Sequence, residues 1–176
     1  MLAGGILALT TASDPFIYLL LKKNTASPGA ALPLFAFVTS AIYMLFSVPA
    51  GKLADGWGRR KVFVLGYVLL LAACLILATP ALGRTLQFAS LGLLGIYYAA
   101  TDGVLAALGS AVLLPELRAT GLAMLNTVVG LGKFFSSVTL GLLFTVPGLS
   151  TPLWPFVAGL SVALLASAWV MKRTDT

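Results

Sequence analysis

Histidine is absent from the chain. Without an imidazole there is no histidine metal ligand, no histidine-based nucleophilic triad and no ring titrating near neutrality. Acidic groups are also scarce, with five Asp and Glu against eleven Lys and Arg, and charged residues make up only 9% of the 176 positions. No nucleophile constellation, metal site or cofactor is expected from so small a polar inventory. The single cysteine, Cys74, sits within an apolar run, where it excludes an internal disulfide and reads as a packing residue.

What is present is apolar. Hydrophobic residues make up 60% of the chain, against roughly 45–50% in soluble domains. A bilayer core about 30 Å thick takes roughly 20 apolar residues per helix, which makes about six spans and leaves no room for a soluble domain. Apolar runs between polar breaks place the spans near 1–21, 30–50, 62–80, 87–112, 119–146 and 151–171. Turn chemistry marks the breaks, as in Ser27-Pro28-Gly29 and from Pro147 to Pro152. The first run lacks a basic leader and a small-residue cleavage pattern, so it reads as a retained helix. Small residues recur in the fourth span (Gly92, Gly95, Gly103, Gly109) and the fifth (Gly121, Gly130, Gly132, Gly141). They are expected to let helix backbones approach closely.

The basic residues fall in short clusters between the runs, a topology signal and not a nucleic-acid surface. With alternating helices, one side collects Lys52, Arg59, Arg60, Lys61, Arg118, Lys172 and Arg173, and the other Lys22, Lys23 and Arg84. That asymmetry puts the 51–61 connection and both termini in the cytoplasm of a multi-pass protein of the cell membrane. Membrane lipid is its first partner, met by the basic clusters at the headgroups.

Between the second and third spans lies Gly51-Lys52-Leu53-Ala54-Asp55-Gly56-Trp57-Gly58-Arg59-Arg60-Lys61. Gly51 and Gly58 are expected to permit a tight backbone, and Asp55 to face Arg59 or a helix amino terminus. This stretch resembles the signature loop of the major facilitator superfamily, G-x-x-x-D-[RK]-x-G-R-[RK]-[RK], departing only where Gly56 replaces a basic residue. The 113–121 stretch, Leu-Leu-Pro-Glu-Leu-Arg-Ala-Thr-Gly, is similar to the connection between fourth and fifth helices in these transporters. The resemblance implies an all-α fold, a six-transmembrane-helix bundle forming half of a major-facilitator-type transporter, with Gly51, Asp55, Gly58, Arg59, Arg60 and Lys61 as a cytoplasmic gate. The fifth span lacks the Gly-Pro signature that many antiporters carry in their first half, and the chain ends soon after the sixth. Both favour the carboxyl-terminal half, whose partner would be a missing amino-terminal six-helix half.

Three charged residues lie inside predicted spans: Asp14, Asp102 and Lys133. Each costs about 2.5–3.5 kcal/mol at a helix centre on insertion scales. Counted from the shared 115–118 connection, Asp102 and Lys133 sit about 20 and 22 Å deep on adjacent antiparallel helices. They are expected to form a buried pair or to share a water-filled cavity. Asn126, Gly130, Lys133 and Ser137 mark one polar side of the fifth helix, and Tyr98, Asp102 and Gly109 one side of the fourth. Asp14, before Pro15, is expected either to cap a helix or to sit at a break in one. Asp14, Tyr98, Asp102, Asn126, Lys133 and Ser137 are therefore the candidate cavity and coupling residues. The function this implies is a permease moving an unidentified small molecule by alternating access. The alternative is a self-assembling six-helix half without independent transport.

Overall fold

The computed structural model describes residues 13–29, 31–112, 117–145 and 154–174. Among these residues the chain forms α1 (Asp14–Thr25), α2 (Ala31–Trp57), α3 (Arg59–Ala78), α4 (Arg84–Val112), α5 (Arg118–Thr145) and α6 (Trp154–Thr174), with one 3-10 turn at Pro80–Leu82 and no strand. The all-helical class expected from composition is therefore observed. The first twelve residues of the expected first span, Pro115 with its neighbours, and the turn from Pro147 to Pro152 lie outside the described residues. Ala31–Trp57, Arg59–Ala78 and Ala119–Thr139 within α5 are long and apolar enough to cross a bilayer.

Local chemistry sets the boundaries. α1 carries Asp14 in its first turn and Lys22 and Lys23 in its last, matching the helix dipole at both ends. It stops at Ala26, which adopts a left-handed conformation (φ 52°) while the Ser27 amide donates to the Lys22 carbonyl at 3.1 Å. This is the usual way orphan carbonyls of a last turn are satisfied. α2 and α3 are separated by one residue, Gly58.

α4 lies at the centre, packed chiefly against α2 and α3, and α5 leans on α4. Phe63, Tyr67, Leu70, Cys74 and Leu77 form the buried stripe of α3 at helical spacing. Two glycines set how closely the helices approach. A Cβ on Gly95 would lie 2.7 Å from the Ile42 side chain and 2.9 Å from the Thr39 carbonyl on α2. One on Gly66 would lie 2.7 Å from the Thr101 methyl and 3.1 Å from the Ala100 side chain on α4. Of the glycines expected to pack, Gly95 fills that role, whereas a Cβ on Gly92, Gly103 or Gly130 would meet nothing within 4 Å.

At the end of the bundle far from Gly58, a buried amide holds three helices together. Gln87 of α4 donates to the carbonyls of Ile76 (2.7 Å) and Thr79 (3.2 Å), the last turn of α3. Asn24 of α1 donates to the Leu77 carbonyl (2.9 Å) and to Gln87 Oε1 (3.1 Å). The two side chains thus add donors to carbonyls of a helix end, where the regular intrahelical donors run out. Gln87→Leu strips these bonds while keeping bulk. It is expected to destabilise the bundle by about 2 kcal/mol, read as an earlier midpoint on titration from mild detergent into SDS.

Candidate functional site

The polar residues expected inside the membrane gather around one tyrosine. Asp14 begins α1, and its carboxylate accepts a hydrogen bond from the Tyr98 hydroxyl of α4. The Lys133 ammonium, reaching from α5, lies 5.4 Å from the centroid of the same ring. A cation over the face of a tyrosine is attracted by the ring quadrupole. Hydrogen bonding of the hydroxyl to an anion pushes electron density into that ring and reinforces the contact. Carboxylate, phenol and ammonium thus form a row linking α1, α4 and α5.

Two expectations need correction. Asp14 is not the helix cap: Ser13 holds that position, with extended backbone and no side-chain capping bond, and Asp14 is the first helical residue. Its carboxylate is free to turn toward α4. The direct Asp102–Lys133 ion pair is also not formed, because Lys133 reaches the ring one helical turn away. Asp102 is exposed on α4 and makes no ion pair among the described residues. Asn126 is exposed on α5, and the Ser137 hydroxyl donates to the Lys133 backbone carbonyl at 2.8 Å.

The sequence reading passed over Tyr67, which joins Tyr98 to the rest of the bundle. Ring centroids step from Phe63 to Tyr67 (5.1 Å), to Tyr97 (5.4 Å) and to Tyr98 (4.9 Å). The signal was the Phe63–Tyr67 spacing of four, which puts both rings on one face of α3.

The second cluster is the corner between α2 and α3. The 51–61 stretch expected as a loop is almost entirely helical: α2 runs on through Trp57 and α3 starts at Arg59. Lys52 and Asp55 end the apolar run, but polarity ends a membrane span without ending a helix, and Lys, Leu and Ala all favour helix. Gly58 makes the turn at φ 99°, a backbone that L side chains rarely adopt. Gly51 is ordinary helix and a Cβ there would touch nothing within 4 Å, so only Gly58 needs its glycine for the backbone. The Asp55 carboxylate accepts from Arg59 Nη2 at 3.3 Å and Nε at 3.4 Å across the corner. Gly51, Asp55 and Arg59 also line a cavity of about 220 Å³, together with Tyr43 and Ser47 of α2 and Gly103 of α4. Arg60 and Lys61 are exposed. Gly58→Ala is expected to cost about 1–3 kcal/mol through backbone strain, read as a lower melting temperature of the detergent-solubilised protein.

A model of the Major Facilitator Superfamily matches the chain over residues 1–176, its whole length. The chain belongs to the major facilitator superfamily. It is also 32% identical over 124 residues to an uncharacterised MFS-type transporter of Methanocaldococcus jannaschii, an alignment covering 70% of this chain and 30% of that protein. The chain therefore spans less than a third of the relative it matches. No solved structure matches it. Family membership and the apolar helices make this a multi-pass membrane protein of a transporter family and not of an enzyme family. In that family setting, the helix–glycine–helix corner is the form the signature stretch takes in this chain.

Proposed function

We propose that the chain is the carboxyl-terminal six-helix half of a permease that moves a small solute by alternating access. The observation that carries this reading is the gathering of Asp14, Lys133 and Asp102 around Tyr98 on otherwise apolar helices. Ionisable groups placed inside a membrane mark solute or ion paths, because their cost is offset only by partners or by water. In this reading all six expected spans cross the plasma membrane, with α1 contributing to the first. The Gly58 corner, Arg118 and the carboxyl terminus face the cytoplasm, as their basic residues favour, and helix alternation puts the amino terminus there too. The placement in the second half is supported by α5, which contains no proline. An amino-terminal half completes the cavity onto which Asp102 and Asn126 open.

Asp55 and Arg59 are the gate of this scheme, closing the cytoplasmic end against the other half. A surface ion pair is worth about 0–1 kcal/mol, so the gate biases a two-state equilibrium without locking it. With buried Cys74 as a quiet background, a cysteine at Asn126 reports which side the cavity opens to. Asp55→Asn is expected to lower labelling of Asn126→Cys from outside by about twofold to fivefold as the inward-facing population rises. Labelling indifferent to Asp55 would sink the gate. An antibody to residues 171–176 decides the assembly: a native band near twice 18.3 kDa is expected. A band at that mass itself would favour the self-assembling alternative.

A further inference from the structure

We propose that Asp102 and Lys133 hold the two ends of a small zwitterionic solute, one bearing a primary ammonium and a carboxylate, laid against the Tyr98 ring. This rests on the permease reading and names the solute class of the same site.

The argument is one of unspent valence. Of the two carboxylates near Tyr98, Asp14 already accepts a hydrogen bond from the phenol. Asp102, one turn further along α4, accepts no hydrogen bond and makes no ion pair within 4.0 Å among the described residues. Lys133 stands in the matching condition. Its ammonium rests on a ring face at 5.4 Å, an interaction that uses its charge and leaves its N–H donors without an acceptor among the described residues. Lys133 over the Tyr98 ring and Asp102 one turn from it on α4 flank the same ring without pairing, and leave a gap that a bridging group can fill. A zwitterion fills it with both charges satisfied: its ammonium on Asp102, its carboxylate on Lys133. A singly charged solute satisfies one end and strands the other in a medium of low dielectric.

The surroundings fit a small ligand. Asn126 lies two turns before Lys133 on α5, about 10 Å along the helix, and its exposed amide makes no hydrogen bond among the described residues. Between them, a Cβ on Gly130 would meet nothing within 4 Å, so the step is open. The amide is placed to donate or accept at the far end of a short side chain. The bound length is therefore that of an amino acid and not of a sugar polymer or a lipid.

The test uses the native membrane product in lipid nanodiscs, whatever its mass, with tritiated L-alanine and 4-aminobutyrate as probes. Butylamine and butyrate serve as singly charged competitors of similar size. At least one probe is expected to bind saturably and to be displaced by unlabelled zwitterion at about tenfold lower concentration than by either competitor. Lys133→Met and Asp102→Asn are each expected to weaken binding about tenfold or more, and Lys133→Arg to retain most of it. Competition by butylamine or butyrate as effective as by zwitterion would overturn the proposal. So would wild-type binding in either neutralised variant, or no saturable binding. Proton uptake lost in Asp102→Asn, with no solute bound, would assign the pair to ion coupling and overturn it too. Should a variant misfold, the wild-type preference for zwitterion over singly charged solutes decides alone. A negative result here with the Asn126→Cys labelling shift intact leaves a permease for another solute class. Loss of that shift strikes the permease reading and leaves the binding result standing.

Discussion

Gly95→Val is expected to unseat α2 from α4 and to be among the most damaging single changes in this bundle. The position is crowded by the Ile42 side chain and by a backbone oxygen, that of Thr39, 2.9 Å from where a Cβ would stand. A side chain can rotate away, but a helix backbone has to move as a body. Overpacking typically costs about 1–3 kcal/mol, and a rigid neighbour puts this case at about 3 or more. Lipid supplies no hydrophobic drive to hold the helices together while they shift, so lost contact is not recovered elsewhere. Gly92→Val, on the same helix one turn earlier, faces open space and is expected to change stability by less than about 0.5 kcal/mol. Unfolding midpoints in mixed micelles check the pair. Equal losses at both positions would mean that β-branching in α4, and not the contact with α2, sets the cost.

Tyr98→Phe is expected to have the second largest effect, and to owe it to Asp14. Removing the hydroxyl leaves the ring beneath Lys133 but deprives the Asp14 carboxylate of the donor it now has. An ionised group without a partner inside a membrane costs about 2.5–3.5 kcal/mol on insertion scales, so the loss should approach that figure. Asp14→Asn neutralises the carboxylate and keeps an acceptor for the phenol. It is expected to cost under about 1 kcal/mol, the size of an ordinary hydrogen bond between membrane helices. The signature lies in the double mutant: in the Asp14→Asn background, Tyr98→Phe should cost well under 1 kcal/mol, a coupling of about 2 kcal/mol. Additive losses would mean that the phenol serves the packing of α4 and not the charge on α1.

How far the sequence could be read depended on whether a feature is local. Helix type follows from the apolar composition, and Pro28, Gly58 and Pro80 punctuate the chain where the described helices break. Charges inside apolar runs were also conspicuous, which is why Asp14, Asp102 and Lys133 stood out as candidates. Partners were not legible. Depth arithmetic brought Lys133 level with Asp102 to within a turn, but rotation about the helix axes decides contact, and it turned the ammonium onto Tyr98. The corner was misread as a loop because an apolar run and a helix end for different reasons at Lys52 and Trp57. Gln87 escaped notice because a lone amide near a predicted span end looks like surface, yet it is 1% exposed. Its importance arises from the α3 carbonyls above it, and no local pattern announces them.

The Gln87 and Asn24 bonds make the bundle mechanically lopsided. Where α1, α3 and α4 are stapled, sliding or splaying breaks the hydrogen bonds of a buried amide. At the other end, α2 and α3 meet in a single glycine and a weak surface ion pair. Rearrangement within this domain is therefore expected to follow the motion of tongs, with the fulcrum at the Gln87 end and the travel at the Gly58 end. Mobility measured along α3 should rise steadily from Leu77 toward Arg59.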